Sequence, residues 1–483
     1  MSYTVIENFS GGVDRTRPIY ALKNGQLYEG INGHLSRGGD FEKRKAFVKK
    51  YTLPSGTFGL LAVGTTLYTF GSATDPGVPS GITYQRLQHE TAGFNMVELV
   101  SADVFEGYVY AVARFWNGST YQNRHYYNGT RITDWTEGVT GKPWAVGTLA
   151  KTHKRKVYAA ANSILYFSDV DTPSSWNWIA TGSPGASSGV GSGYINMANH
   201  QTGSDEITAL GVYKSNMVVM SRRVIQIWLM ESDPDANNQI QVVLETGTRS
   251  PKAVRGFGDF DMLYLSDSGI RSIRSINYQT TAGVLDIGTP IDPLVRQHTM
   301  GLTETQVRNA CSIVEPIDGR FWLAVGDKIF VFTHFQSKNI AAWSWYEPGF
   351  EISDMVSVND RIYVRSGFDI YLYGGDDNNT FGDDYDVVCQ LPFISNNKPG
   401  SYKQVTGCDI AASGEWDVEF LVDPSDLTQT VRIGLMEGFT FLDAHTGALG
   451  YTTHIAPRLV HRGDGYASLS SVAVYFQPGV EST

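Results

Sequence analysis

Few residues of this 483-residue chain stand at spacings that chemistry could use. Gly185-Ala186-Ser187-Ser188-Gly189 fits GxSxG, the elbow that exposes a nucleophilic serine on a sharp strand-to-helix turn. Its surroundings, residues 181 to 193, are mostly glycine and serine and supply neither the strand nor the helix. The run therefore reads as a surface loop, in which Ser183, Ser187 and Ser188 would order against a neighbouring subunit or gate a passage. Asp376, Asp377, Asp383, Asp384 and Asp386 offer the oxygen ligands that Ca2+ prefers, but not in EF-hand order, and a solvated linker is the expected use. The ten histidines include no HExxH, and no Walker or dinucleotide-binding glycine motif joins a strand to a helix. No catalytic centre, metal or cofactor is expected. Arg222, Arg223, Arg255, Arg271 and Arg274 would form an acid-binding site only if the fold made them converge. Lys43, Arg44, Lys45, Lys49 and Lys50 form a local basic cluster suited to a neighbour's acidic face or to DNA in a channel, with subunit pairing the favoured use.

The elements that would position these residues are strands. An apolar strand, a Gly/Asn/Asp turn and an aromatic-bearing strand recur at residues 60–71, 107–128, 156–169, 207–230, 261–273, 320–333 and 361–375. Lys156 to Ala161 faces Ile164 to Ser168 across Asn162-Ser163, the length of a two-residue hairpin turn. One hairpin buries too little to be stable, whereas radial stacking supplies the missing burial and hides strand edges. The expected fold is all-β: a propeller of six or seven blades over residues 56–375, preceded by an arm with the first strands over 1–55. A β-sandwich-like domain is expected over 376–483, after the acidic, turn-rich GGDDNNTFGDDYDV. Packing of the same hairpins as sandwiches would leave a similar local pattern.

Composition agrees with many short strands and tight turns: 51 Gly, 26 Tyr, 23 Phe and 10 Trp against 18% charged residues. A net charge of -11 excludes a protein that wraps nucleic acid with a general basic surface, yet suits a wall past which DNA slides without sticking. Cys311, Cys389 and Cys408 are odd in number and form no CxxC, so no disulfide framework is expected. No stretch approaches the roughly 18 apolar residues of a membrane helix, and no secretory leader is read at the N-terminus. A cytoplasmic origin and no membrane insertion are expected. Asn117-Gly118-Ser119 and Asn128-Gly129-Thr130 read as turns rather than glycan sites.

Residues 8 to 50 carry a resemblance. Gly11-Gly12, Asn24-Gly25-Gln26, Asn32-Gly33, Gly38-Gly39 and Lys43-Arg44-Lys45 follow one another as in the opening segment of podophage tail nozzle proteins, also called tail tubular protein B or tail-stabilising head-completion proteins. A second echo is LYFSDVDTPSSWNW, residues 165 to 178, which is similar to propeller hairpins of these tail proteins. The resemblance implies a virion structural protein that is not an enzyme and is assembled in the host cytoplasm. It further implies a hexameric ring below portal and adaptor, continuing the DNA channel and holding fibres, spikes or a tip plug. DNA would pass through the lumen without sequence-specific binding. Two rival expectations are a sialidase-like propeller that hydrolyses glycans and a receptor-binding tail protein.

Overall fold

A computed structural model describes residues 2–133, 147–176, 191–200, 205–258, 261–275, 282–395, 400–438 and 451–478. Strands dominate, and the architecture is a β-propeller with an additional large sheet. The innermost strands of the blades are, in chain order, Phe58–Val63, Asn95–Phe105, Leu149–His153, Ala209–Tyr213, Arg255–Phe257, Cys311–Val314 and Asp354–Val358. Each lies beside the next, and the last lies beside the first, so the ring closes. Every one of the seven recurring hairpins falls in a different blade. Six blades are sheets of their own, and the sixth in chain order, which opens with Cys311–Val314, runs on through its outer strand into the large sheet.

The reason these segments become blades is visible in one strand. All six residues of Lys156–Ala161 are buried. Successive side chains of a strand point to opposite faces. Val157 and Ala159 accordingly pack with Tyr110 and Val112 of the second blade, while Tyr158 and Ala160 pack with Met217 and Val219 of the fourth. Apolar clusters of this kind fill the interfaces between consecutive blades. Turns follow the expected chemistry. Asn128 and Gly129 both have positive φ, 47° and 77°, as a two-residue type I′ hairpin requires. Asn117 Oδ1 accepts from the backbone N–H groups of Ser119 (2.9 Å) and Thr120 (2.8 Å), so this NxS sequence is an Asx turn.

The ring is closed by the arm. Phe47–Thr52 pairs antiparallel with Asp369–Tyr373 as the outermost strand of the seventh blade. The rest of the arm joins the far end of the chain: Ser2–Ile6 pairs with Ser468–Pro478, and Glu29–Ile31 pairs with Val387–Gln390 on one side and with Trp345 of the sixth blade on the other. The 19-residue strand Lys403–Leu421 pairs first with Ser468–Pro478 and then, past an irregularity between Ala412 and Trp416, with Ala456–His461 and Thr430–Gly438. Its two halves share one core, with Cys408 and Ile410 from the first and Trp416, Val418 and Phe420 from the second. The described residues of the arm before Phe47 and of 376–483 therefore fold together, and a single sheet binds them to the propeller.

Two short helices, Asp292–Met300 and Glu304–Arg308, are inserted before the sixth blade. The second is opened by a capping box, in which Thr303 Oγ1 accepts from Gln306 N–H and the Gln306 side chain accepts from Thr303 N–H. Neither helix is legible in the sequence, because nine residues with few apolar positions leave little periodic signal.

Candidate functional site

The basic cluster sits where propeller, arm and large sheet meet. Lys43 and Arg44 are 3% and 1% exposed. Lys43 Nζ donates to the carbonyl of Gly463 (2.5 Å). Arg44 donates through Nε to Asn32 Oδ1 (2.9 Å) and through Nη1 to the Lys45 carbonyl (3.0 Å), and forms an ion pair with Asp383. Asn32, held at φ 54°, is the hub: its side chain also accepts from Glu347 N–H (2.8 Å) and donates to the Asp386 carbonyl (2.9 Å). Lys45 Nζ reaches Asn378 Oδ1 (3.2 Å), Lys49 pairs with Asp369 (2.8 Å) and Lys50 with Asp376 (2.6 Å). Burial pushes the Lys43 and Lys45 amines below the ordinary lysine range. All five residues expected at a subunit or DNA contact thus have partners inside the chain, and the most buried two are covered.

The acidic linker explains where those charges go. Asp376 and Asp383 take cations of the arm, Asp386 lies 3.3 Å from Arg462, and Asp377 Oδ1 accepts from Asn379 N–H and Thr380 Oγ1, both at 3.0 Å. Among the described residues, no group of three or more His, Cys, Asp or Glu side chains is arranged to hold a metal ion. The linker is a counter-charge for the arm.

Down the propeller axis runs a cavity of about 440 Å3 walled by all seven inner strands. Its polar groups pair across blades. Asp103 accepts from Lys151 Nζ (2.9 Å), Thr152 N–H (2.8 Å) and Thr152 Oγ1 (2.9 Å), and Lys252 Nζ lies 2.5 Å from Asp354. Both channel carboxylates are thus tied to lysines. Arg255 also lines the axis, where confinement pushes its guanidinium below the ordinary range against the opposing pull of Asp103. A second cavity, about 560 Å3, opens where the inner strands begin, and Leu149 and Pro251 line both.

No protein-family model and no curated protein sequence matches this chain. Among solved structures, BamB from Moraxella catarrhalis is similar over 77% of this chain and 98% of its own, at 10% identity and a TM-score of 0.36. An extracellular domain of a one-component system from B. thetaiotaomicron is similar over 84% of this chain and 46% of its own, at 9% identity and a TM-score of 0.35. The exo-beta-1,3-galactanase of Phanerochaete chrysosporium, solved with galactose, is similar over 86% of this chain and 100% of its own, at 9% identity and a TM-score of 0.30. The propeller follows from the chain's own strand pairing and ring closure.

Of the five arginines named from sequence, Arg222 and Arg223 line the second cavity and Arg255 the axis. Arg271 is paired with Asp286 (2.8 Å) and Asp292 (2.9 Å), and Arg274 stands 3.7 Å from Asp261. Three further arginines at the second cavity, Arg114, Arg249 and Arg308, were not singled out from the sequence. Two of them share a signal in position: Arg249 and Arg308 both stand shortly before an inner strand, whereas Arg114 lies within Tyr108–Trp116. Ser183, Ser187 and Ser188 lie outside the described residues. The strand, Ser-Asp, turn and Trp piece is as expected, with Trp176 buried between the second and third blades and its Nε1 donating to the Pro173 carbonyl (3.0 Å). The three cysteines are buried and unpaired, and burial pushes the thiols of Cys311 and Cys408 up to about 12.

Proposed function

We propose that this chain is a structural subunit of the tail nozzle of a short-tailed phage. Copies would form a ring below portal and adaptor that continues the DNA channel, retains the genome, permits its ejection and anchors fibres or spikes. The observation that carries this reading is the place of the segment that bears the resemblance. Residues 8 to 50 are not a loose leader: they thread from the large sheet to the closing strand, and Gly12 and Gly33 among them leave no room for a Cβ. A Cβ on Gly33 would lie 2.5 Å from the Phe41 ring and 2.8 Å from the Glu42 carbonyl, and one on Gly12, at φ +57°, would lie 2.8 Å from the Trp343 nitrogen.

Two further features support the reading. The joined termini make propeller and large sheet one stiff wall element. An axial cavity of about 440 Å3 has the size of a small-molecule site, so a duplex would run between copies and not through one. A net charge of -11 disfavours DNA sticking to that wall. Ring contacts are heterologous and close when the rotation between neighbours divides a full turn. Antibodies raised against this chain should label the tail of intact virions in electron micrographs. Virions that carry no label, with release of sugar from bacterial polysaccharide by the purified chain, would replace this reading with the hydrolase.

A further inference from the structure

At the face where the inner strands begin, five arginines line one cavity: Arg114, Arg222, Arg223, Arg249 and Arg308. They fall into two sets. Arg114 is held by Glu98 (2.7 Å) and Asn123 (3.2 Å), Arg222 by Asp267 (2.7 Å), and Arg249 by Asp267 (2.7 Å) and Glu304 (2.6 Å). Arg223 and Arg308 are exposed, and among the described residues neither guanidinium has a hydrogen-bond or ion-pair partner. Asp205 and Glu206 line the same cavity, exposed and equally without partners among the described residues. Deeper on the axis, Arg255 has no hydrogen-bond or ion-pair partner among the described residues.

Glu98, Asp267 and Glu304 offset Arg114, Arg222 and Arg249, which leaves Arg223 and Arg308 as the guanidiniums of this cavity with no counter-charge in contact among the described residues. The paired set is already neutralised and fixes the wall. The unpaired pair is what a ligand can reach. A guanidinium fork matches a carboxylate through two parallel hydrogen bonds. Asp205 and Glu206 set a second condition, since carboxylates accept hydrogen bonds from hydroxyls but repel a polyanion. Nucleic acid and polyphosphate are therefore poor occupants. A volume of about 560 Å3 suits a small molecule.

We infer that this mouth binds a small, singly charged, hydroxyl-rich acid of the sugar-acid class, its carboxylate on Arg223 and Arg308 and its hydroxyls on Asp205 and Glu206. The site is independent of the nozzle reading, because it needs no second copy of the chain.

Calorimetric titration of the full chain with D-glucuronate, D-glucose and inorganic phosphate tests the assignment. The expected result is saturable glucuronate binding that weakens at least tenfold in Arg223→Gln and in Arg308→Gln, with glucose and phosphate each bound at least tenfold more weakly than glucuronate. Both variants change exposed, unpartnered side chains, so their melting temperatures should match the parent and separate lost binding from lost fold. Absence of saturable glucuronate binding, or equal affinity in parent and both variants, would overturn the site. Phosphate or glucose bound as tightly as glucuronate would overturn the sugar-acid assignment.

Discussion

Arg44 is the residue on which the joint between arm and propeller turns. It is almost completely buried, its charge faces Asp383, and its guanidinium lies over the rings of Phe47 (5.1 Å) and Tyr346 (5.9 Å). Removing one partner of a buried ion pair leaves the other charge uncompensated, which costs about 3–5 kcal/mol. Arg44→Ala should lower unfolding free energy by that amount in urea titrations, whereas Lys49→Gln, whose partner Asp369 is solvent-accessible, should cost less than about 1 kcal/mol. His125 sets a pH dependence. It is buried, accepts from the Tyr110 hydroxyl at Nδ1 (2.8 Å) and donates from Nε2 to the Gly147 carbonyl (2.7 Å), and burial pushes it down to about 3. The unfolded chain takes up this proton near the ordinary histidine value while the folded chain does not. Stability is therefore full above about pH 6.5 and falls as pH drops toward 3, by about 1.4 kcal/mol per unit from this group. Urea titrations at pH 7 and pH 5 should differ by about 2 kcal/mol from this group, and His125→Gln should reduce the difference.

Among the elements, the closing strand Phe47–Thr52 does the most to define the fold. Phe47 meets Trp322 of the sixth blade and Tyr373 of the seventh, with ring centroids at 6.4 Å and 5.2 Å. Phe47→Ala should cost about 3–5 kcal/mol by cavity formation, read from the denaturation midpoint. A Phe47→Leu variant should recover most of that loss. Local patterning was enough to find the hairpins, because alternate burial and turn residues act within about twenty positions. It could not find the partner of the closing strand, since Phe47 pairs with Tyr373 across more than 300 residues, and no local periodicity records such a pairing. The same limit hid the destination of the basic run: Arg44 and Lys50 pair with Asp383 and Asp376 of the linker and Lys49 with Asp369 of the seventh blade, all far along the chain. Arg114, Arg249 and Arg308 were not legible for a related reason, since each comes from a different blade or connection.

At the scale of the whole molecule, Ser2–Ile6 and Ser468–Pro478 are built into one sheet that also holds the sixth blade, so hydrogen bonding is continuous from the propeller into the large sheet. Fold class was legible from composition and hairpin recurrence, and Trp176 and the Asn-Gly turn at 128–129 take the places expected of them. What was not legible is the merging of arm and C-terminal region, which rests on pairings such as Ser2 with Phe476 and Ile31 with Val388. A body of this kind suits a wall that carries load, and its acidic balance suits a passage for DNA. The decisive measurement is cryo-electron microscopy of this chain mixed with portal and adaptor rings of a short-tailed phage, the assembly that the proposed function assigns to it. The account predicts six copies of the 53.2 kDa chain in a hollow ring that caps the adaptor and extends its lumen. Bare adaptor rings beside a chain that stays monomeric would contradict it.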